Sequence, residues 1–186
     1  MLRAALLFAL AMLPAPGPTR SAWAQAGAEG GAPRAEPGLP SNPDALKNRS
    51  GLPVPRFASL RAERAFLRAG PGKEYPVQWV FIRPGTPLEV VYEWNLWRKV
   101  RDAEGTEGWM DRAMLSTNRT LQIVRQTRNL HARPDVSSPV VMRAEPGVVG
   151  RITLCEGRWC RIEIEGRAGY ILREHGFGTY PGEPVG

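Results

Sequence analysis

Hydrophobic positions from residue 57 onward fall into short runs separated by turns. Runs such as VQWVFI (77–82), PLEVVYE (87–93), WRKVR (97–101) and TEGWM (106–110) are interrupted by RPG (83–85) and AEG (103–105). Short strands with a Gly- or Pro-containing turn every ~8–12 residues are typical of a small all-β barrel or sandwich. We expect one short helical turn over residues 111–115, and no segment has a sustained helical period.

The pattern before residue 57 is different. Arg3 precedes an unbroken apolar run over residues 4–13, and Ala22-Trp23-Ala24 supplies a small-x-small ending. These features predict a secretory signal peptide over residues 1–24. Its apolar run is well short of the ~20 residues that span a bilayer, so no transmembrane segment is expected after its removal. Residues 25–56 are rich in Gly, Ala and Pro and predict a flexible linker.

The folded part contains an internal repeat. FLRAGPGKEYPV (66–77) and NLHARPDVSSPV (129–140) share Leu, Ala, Pro, Pro and Val at the same five of twelve places. Three further landmarks return at offsets of 62, 62 and 61: Pro84 as Pro146, Trp97 as Trp159, and Gly108 as Gly169. The constant order and offset predict a duplicated unit, with one copy over residues 57–117 and a second over 118–186.

These residues resemble a known family. LRAGPG followed by YPV, then PG, WRKV and GW, is similar to the bacterial SH3-like (SH3b) domain, in its tandem exported form. In the second copy Arg133-Pro134-Asp135 replaces Gly-Pro-Gly, and Tyr170 replaces the tryptophan. The resemblance implies two small five-stranded barrels and a role in binding rather than catalysis. Members often accompany cell-wall hydrolases and recognise peptidoglycan.

The Gly-Pro-Gly-Lys stretch does not match a phosphate-binding loop. Glu74 follows Gly72-Lys73 where Ser or Thr is needed, and Leu67 stands where the upstream glycine belongs. We therefore interpret Gly70 and Gly72 as turn positions that require a positive φ. No cofactor is expected.

The two cysteines, Cys155 and Cys160, lie in LCEGRWCRI, a predicted hairpin. Facing arms of a hairpin can reach the ~5.5 Å Cα separation that a disulfide prefers, and an oxidising compartment favours that bond. Free buried thiols and metal binding are the alternatives, although no nearby His completes a zinc site. Neither Cys opens a helix that would activate a nucleophile, and we expect neither catalytic nor metal-binding residues.

Aromatic side chains are the candidate ligand-binding residues: Tyr75, Trp94, Trp97 and Trp109 in the first copy, and Trp159 and Tyr170 in the second. Trp94 and Trp97 flank a predicted turn, and with Tyr75 as the opposite wall they would form a groove for an extended peptide or glycan. The second copy has fewer aromatic residues and predicts a poorer groove. Trp79 is expected to fill the core of its barrel.

The chain has a formal net charge of +7, which becomes +5 when Arg3 and Arg20 leave with the signal peptide. Basic blocks of the nucleic-acid-binding kind are missing, and export makes nucleic acid a poor partner. We predict a monomeric, non-enzymatic protein of the periplasm or the secreted fraction that binds peptidoglycan or an extended envelope peptide. The alternative is an envelope scaffold that docks a partner protein without binding the wall.

Overall fold

The structure, a computed structural model, describes residues 50–186. The predicted signal peptide and residues 25–49 of the predicted linker lie outside the described residues. Regular structure in the described part consists of strands and two single 3-10 turns. None of its helical segments is long and apolar enough to cross a membrane.

The first repeat forms one antiparallel sheet in the order β3-β2-β6-β5-β4-β1-β7. Its strands are β1 (Arg56–Leu60), β2 (Ala65–Arg68), β3 (Val77–Phe81), β4 (Pro87–Trp94), β5 (Trp97–Arg101), β6 (Glu107–Asp111) and β7 (Leu115–Ser116). Seven strands appear where the resemblance implied five, because the segments at both ends of the repeat, β1 and β7, also pair.

The second repeat has the same topology, in the order β10-β9-β13-β12-β11-β8-β14. Its strands are β8 (Thr120–Ile123), β9 (Arg128–His131), β10 (Val140–Ala144), β11 (Val149–Glu156), β12 (Trp159–Ile164), β13 (Arg167–Leu172) and β14 (Gly176–Phe177). Each strand of the first sheet therefore has an equivalent seven strands later. The all-β prediction and the prediction of two tandem SH3-like barrels are confirmed.

Each barrel encloses its own apolar core. Leu88 and Val90 are fully buried in the first, as the alternation along β4 predicts, and Met110 joins them from β6. The second core is built around Leu121, Ile162 and other side chains of the equivalent strands. Barrels of this size bury little apolar surface, so additional braces contribute a large share of their stability.

A 3-10 turn follows β6, as the sequence predicted. It spans Arg112–Met114, and the Asp111 carboxylate caps it by accepting a hydrogen bond from the Ala113 amide at 2.9 Å. The equivalent turn in the second barrel is Arg173–His175.

Two expectations about the first repeat are wrong. Gly70 and Gly72 do not adopt a positive φ, although Gly85 does at 82°. A Cβ atom at position 70 would instead overlap the ring of Tyr75, so this glycine is required by a close approach. Trp79 is 58% exposed rather than in the core, although it lies opposite the buried Leu67; Phe81, two residues along the same edge strand, packs against the core instead.

The two barrels pack against each other through Phe57 of β1. Its ring lies 4.9 Å from that of Phe177 and 4.8 Å from that of Tyr180, between ring centroids. The Tyr180 hydroxyl donates to Glu89 at 2.8 Å, and the Thr120 hydroxyl donates to the carbonyl of Gly85 at 2.7 Å. Burial and the hydrogen bond to Glu89 raise the pKa of Tyr180. The hydroxyl therefore remains a donor at physiological pH.

Candidate functional site

Strand register places most of the predicted aromatic residues of the first barrel on one surface. Lys99 lies opposite both Trp109 and Tyr92, and Trp97 lies opposite Trp94. Residues directly opposite in an antiparallel sheet project to the same side, as do residues two apart along a strand. Tyr92, Trp94, Trp97 and Trp109 thus share the outer side of β4, β5 and β6, which we call the aromatic face.

Trp109 is the floor of the aromatic face. Its side chain is only 7% exposed, and the ring of Tyr92 packs against it edge to face with centroids 6.1 Å apart. Trp94 and Trp97 are half-buried at the end of the β4–β5 hairpin. A ligand could therefore reach Tyr92, Trp94 and Trp97, whereas Trp109 supports them from below.

A buried ion pair holds the hairpin that carries the two tryptophans. Arg98 donates to the carbonyl oxygens of Asn95 and Trp97, each at 2.9 Å, and its Nε lies 3.0 Å from the Glu93 carboxylate. Asn95 has a φ of 50°, as the two-residue turn requires. The positions of Trp94 and Trp97 are therefore fixed by contacts on the inner side of the hairpin.

Glu93 also anchors the chain before β1. The Ser50 amide and hydroxyl both donate to its carboxylate, at 2.9 and 2.7 Å, and Arg56 forms a second ion pair with it. Burial favours the protonated form of Glu93, but the hydrogen bonds from Ser50 and Arg56 and the charge of Arg98 outweigh that effect and lower its pKa. The buried carboxylate is therefore ionised at neutral pH.

Tyr75 lies apart from the tryptophans, in the loop between β2 and β3. Its carbonyl accepts a hydrogen bond from Arg68 at 2.7 Å, and Arg68 lies opposite Trp109 in the register. Arg68 thus connects the Tyr75 loop to the edge of the aromatic face. Among the described residues, no ring contact joins Tyr75 to Trp94 or Trp97, and its role as an opposite wall stays a prediction.

The corresponding face of the second barrel has fewer aromatic side chains. Tyr170 lies opposite His131 and Arg161, and Trp159 packs edge to face on His131 at 6.0 Å. Leu154 and Glu156 stand at the positions equivalent to Tyr92 and Trp94. That the second surface binds more poorly stays a prediction.

A small cavity of about 200 Å³ lies beside Trp159 and is also lined by Arg128, His131 and His175. Burial and the nearby charge of Arg128 lower the pKa of His175. Among the described residues, no group of three or more His, Cys, Asp or Glu side chains could hold a metal ion.

The sequence prediction missed Tyr92. The sequence feature that could have identified Tyr92 is its two-residue spacing from Trp94 in VVYEW, because this spacing puts both rings on one side of a strand. Lys99 was missed as well, and it forms an ion pair with Glu107 at 3.2 Å on the same face.

The cysteine prediction is confirmed. Cys155 and Cys160 lie opposite each other on β11 and β12 and form a disulfide. The alternatives of free thiols and metal ligation are therefore wrong.

Three solved structures to which this chain is similar share little sequence with it. NlpC1 and NlpC2 from Trichomonas vaginalis are 16% and 14% identical to this chain, with a TM-score of 0.32 each; the matches cover 71% and 68% of this chain and 49% of each of theirs. An NlpC/P60 family protein from Bacillus cereus is 14% identical with a TM-score of 0.30, covering 67% of this chain and 57% of its own. The chain thus spans about half the length of these proteins.

A search of curated proteins gives no significant match. The family model of the bacterial SH3 domain, by contrast, matches twice, over residues 61–117 and 124–175. The two matches coincide with the two barrels and together cover more than half of the sequence. The chain therefore belongs to the bacterial SH3 domain family.

Proposed function

We propose that this protein is a non-enzymatic binding module of the cell envelope that recognises peptidoglycan or an extended peptide through the aromatic face of its first barrel. The observation that carries the proposal is the register that places Tyr92, Trp94, Trp97 and Trp109 on one side of three adjacent strands. A set of aligned rings is a surface on which sugar rings or peptide planes can stack.

The charges around the aromatic face suit a ligand with both carboxylates and polar groups. Lys99 lies between Tyr92 and Trp109 and shares its charge with Glu107, and Arg68 adjoins Trp109 at the other edge. Basic side chains beside aromatic rings can pair with the carboxylates of a peptide while the rings stack on its backbone or on a glycan. Peptidoglycan combines these two chemistries in one polymer.

Family membership and the disulfide support the remaining parts of the proposal. Bacterial SH3 domains are binding domains, which agrees with a non-enzymatic role. The Cys155–Cys160 disulfide favours an oxidising compartment, in line with the predicted signal peptide. We accordingly assign the protein to the periplasm or the secreted fraction.

The proposal is tested by co-sedimentation of the purified protein with insoluble peptidoglycan. The intact protein should sediment with the polymer, and a Trp94→Ala, Trp97→Ala variant should remain in the supernatant. Trp159→Ala, which removes the tryptophan equivalent to Trp97 from the second barrel, is the matched control and should sediment like the intact protein. Failure of the intact protein to sediment would exclude wall binding.

The second candidate function is an envelope scaffold that docks a partner protein. Exposed apolar side chains on the β2–β3 hairpin and the residue after it favour this alternative: Phe66 and Val77 are each 42% exposed, Trp79 58% and Ile82 77%. β3 is also the edge strand of its sheet, where a partner strand could pair. A Phe66→Ser, Trp79→Ser variant that sediments normally with peptidoglycan would separate this hairpin from wall binding.

A further inference from the structure

Equivalent arginines follow β6 and β13 in the two barrels. Arg112 and Arg173 each begin a 3-10 turn. The backbone amide of Arg112 donates to the carbonyl of Leu96, and that of Arg173 donates to the carbonyl of Arg158, each at 2.8 Å and each in the turn of a hairpin. Arg56 and Arg119 form a second equivalent pair. Arg56 precedes the β1 residue that lies opposite Glu89, and Arg119 precedes the β8 residue that lies opposite Arg151, the counterpart of Glu89. Each barrel therefore presents the same two arginine positions at one end.

The second barrel uses both arginines to bind the C-terminal tail, which we define as residues 178–186. Arg173 is 6% exposed and donates to the carbonyls of Tyr180 and Glu183, at 2.8 and 2.9 Å. Arg119 binds the Glu183 carboxylate through two nitrogens, at 2.6 and 2.9 Å, and also donates to the Gly178 carbonyl. The arginines thus hold an extended peptide by its carbonyls and by one carboxylate.

The tail continues along β11 of the second barrel. The amide of Cys155 donates to the carbonyl of Val185 at 2.7 Å, so the tail pairs with the strand beyond the end of β8. Polar recognition by two arginines and backbone pairing with a strand edge are both features of a peptide-binding site.

Within residues 50–186 the first barrel has no equivalent of this peptide. After β7 the chain continues directly into β8 instead of folding back, so no equivalent tail from this part of the chain covers Arg112. Arg112 is exposed, and its side chain makes no hydrogen bond or ion pair with any of residues 50–186. A cleft of about 730 Å³ opens beside it, and five arginines line this cleft: Arg56, Arg61, Arg98, Arg112 and Arg119.

The cleft keeps a net positive charge after its internal ion pairs are considered. Glu93 neutralises one of the two arginines that it contacts, Arg56 and Arg98, and Glu183 neutralises Arg119. Arg61, like Arg112, is exposed and has no side-chain partner in the described part of the chain. Phe57, Leu52 and Leu115 give the same cleft apolar walls. A complementary ligand is therefore negatively charged and partly apolar.

We propose that this cleft of the first barrel binds an extended acidic peptide segment of a partner protein, with Arg112 holding its carbonyl or carboxylate oxygens as Arg173 and Arg119 hold the tail. The cleft is lined by residues other than those of the aromatic face, so the proposal goes beyond wall binding and does not depend on it. The internal repeat itself supplies the precedent for the bound conformation.

The probe is a fluorescent synthetic peptide with the tail's own sequence, GTYPGEPVG, added to the full chain and followed by fluorescence anisotropy. Saturable binding is expected, and Arg112→Ala should weaken it at least tenfold while leaving the fold intact, since the hydrogen bonds of Arg112 within residues 50–186 come from its backbone, which alanine keeps. A probe in which Gln replaces the glutamate should bind more weakly. Arg143→Ala, which removes another exposed arginine, on β10, is the control for net charge.

Several outcomes would overturn the proposal: no saturable binding of the peptide, equal weakening by Arg112→Ala and Arg143→Ala, or displacement of the probe by soluble peptidoglycan fragments. A dimer that dissociates on Arg112→Ala would assign the cleft to a second copy's tail and would also contradict it. The Trp94→Ala, Trp97→Ala variant should keep full affinity for the peptide. This last comparison separates failure of the cleft proposal from failure of the aromatic-face proposal.

Discussion

Arg98 lies directly opposite Glu93 across the β4–β5 hairpin, with Nε 3.0 Å from the carboxylate and both side chains 4% exposed. The residues equivalent to this pair in the second barrel are Cys160 and Cys155, which form the disulfide across β11–β12. The two barrels therefore brace the same hairpin position in different ways, one with a buried ion pair and the other with a covalent bond.

Removal of the Glu93 carboxylate should strongly destabilise the first barrel. Glu93→Ala leaves Arg98 buried without its counter-charge, and breaking a buried pair in this way costs about 3–5 kcal/mol. The free energy of unfolding in urea measures the loss. Glu163→Ala, which breaks a partly exposed pair with Arg151, should cost at most about 1 kcal/mol. Equal losses in the two variants would show that the buried pair has no special role.

The equivalence of the two hairpins predicts that a disulfide can replace the ion pair. In the Glu93→Cys, Arg98→Cys variant, the new cysteines occupy the same cross-strand register as Cys155 and Cys160 and should oxidise to a second disulfide. Mass spectrometry of the non-reduced protein should then find no free thiol. Two persistent thiols at these positions after air oxidation would contradict the equivalence.

Gly70 and Tyr75 form a second contacting pair, and the second repeat has different residues, Arg133 and Ser138, at both equivalent positions. The Tyr75 ring lies on Gly70, whereas the equivalent Ser138 hydroxyl accepts a hydrogen bond from the amide of Arg133 at 3.1 Å. Gly70→Ala should therefore cost about 1–3 kcal/mol by overpacking. A Gly70→Ala, Tyr75→Ser variant should recover most of that loss in the same unfolding experiment, and additive losses would contradict a direct contact.

These pairs show what the sequence could and could not predict. Turn residues and local alternation sufficed for the strands and the duplication, because both depend on neighbours close in sequence. The aromatic face depends on register across three strands, and a one-residue shift between Val90 and Tyr92 changes which side chains point outward. The interaction of Ser50 with Glu93 joins residues 43 positions apart, and no local pattern indicates it.

The ion pair between Glu183 and Arg119 should make stability depend on acid pH. Hydrogen bonds from Arg119 lower the pKa of Glu183 from 4.5 to about 2, against the opposing effect of burial. The unfolded chain therefore takes up this proton first as the pH falls, so the pair's contribution is complete above pH 4.5 and disappears between pH 4.5 and 2. Because the pair is partly exposed, Glu183→Gln should cost only about 1 kcal/mol at pH 7 and progressively less as the pH falls through the folded-state pKa of about 2. Urea unfolding across this pH range measures the loss of stability in Glu183→Gln. Glu165→Gln, in an exposed turn, is the control. A loss that does not depend on pH would contradict the assignment to Glu183.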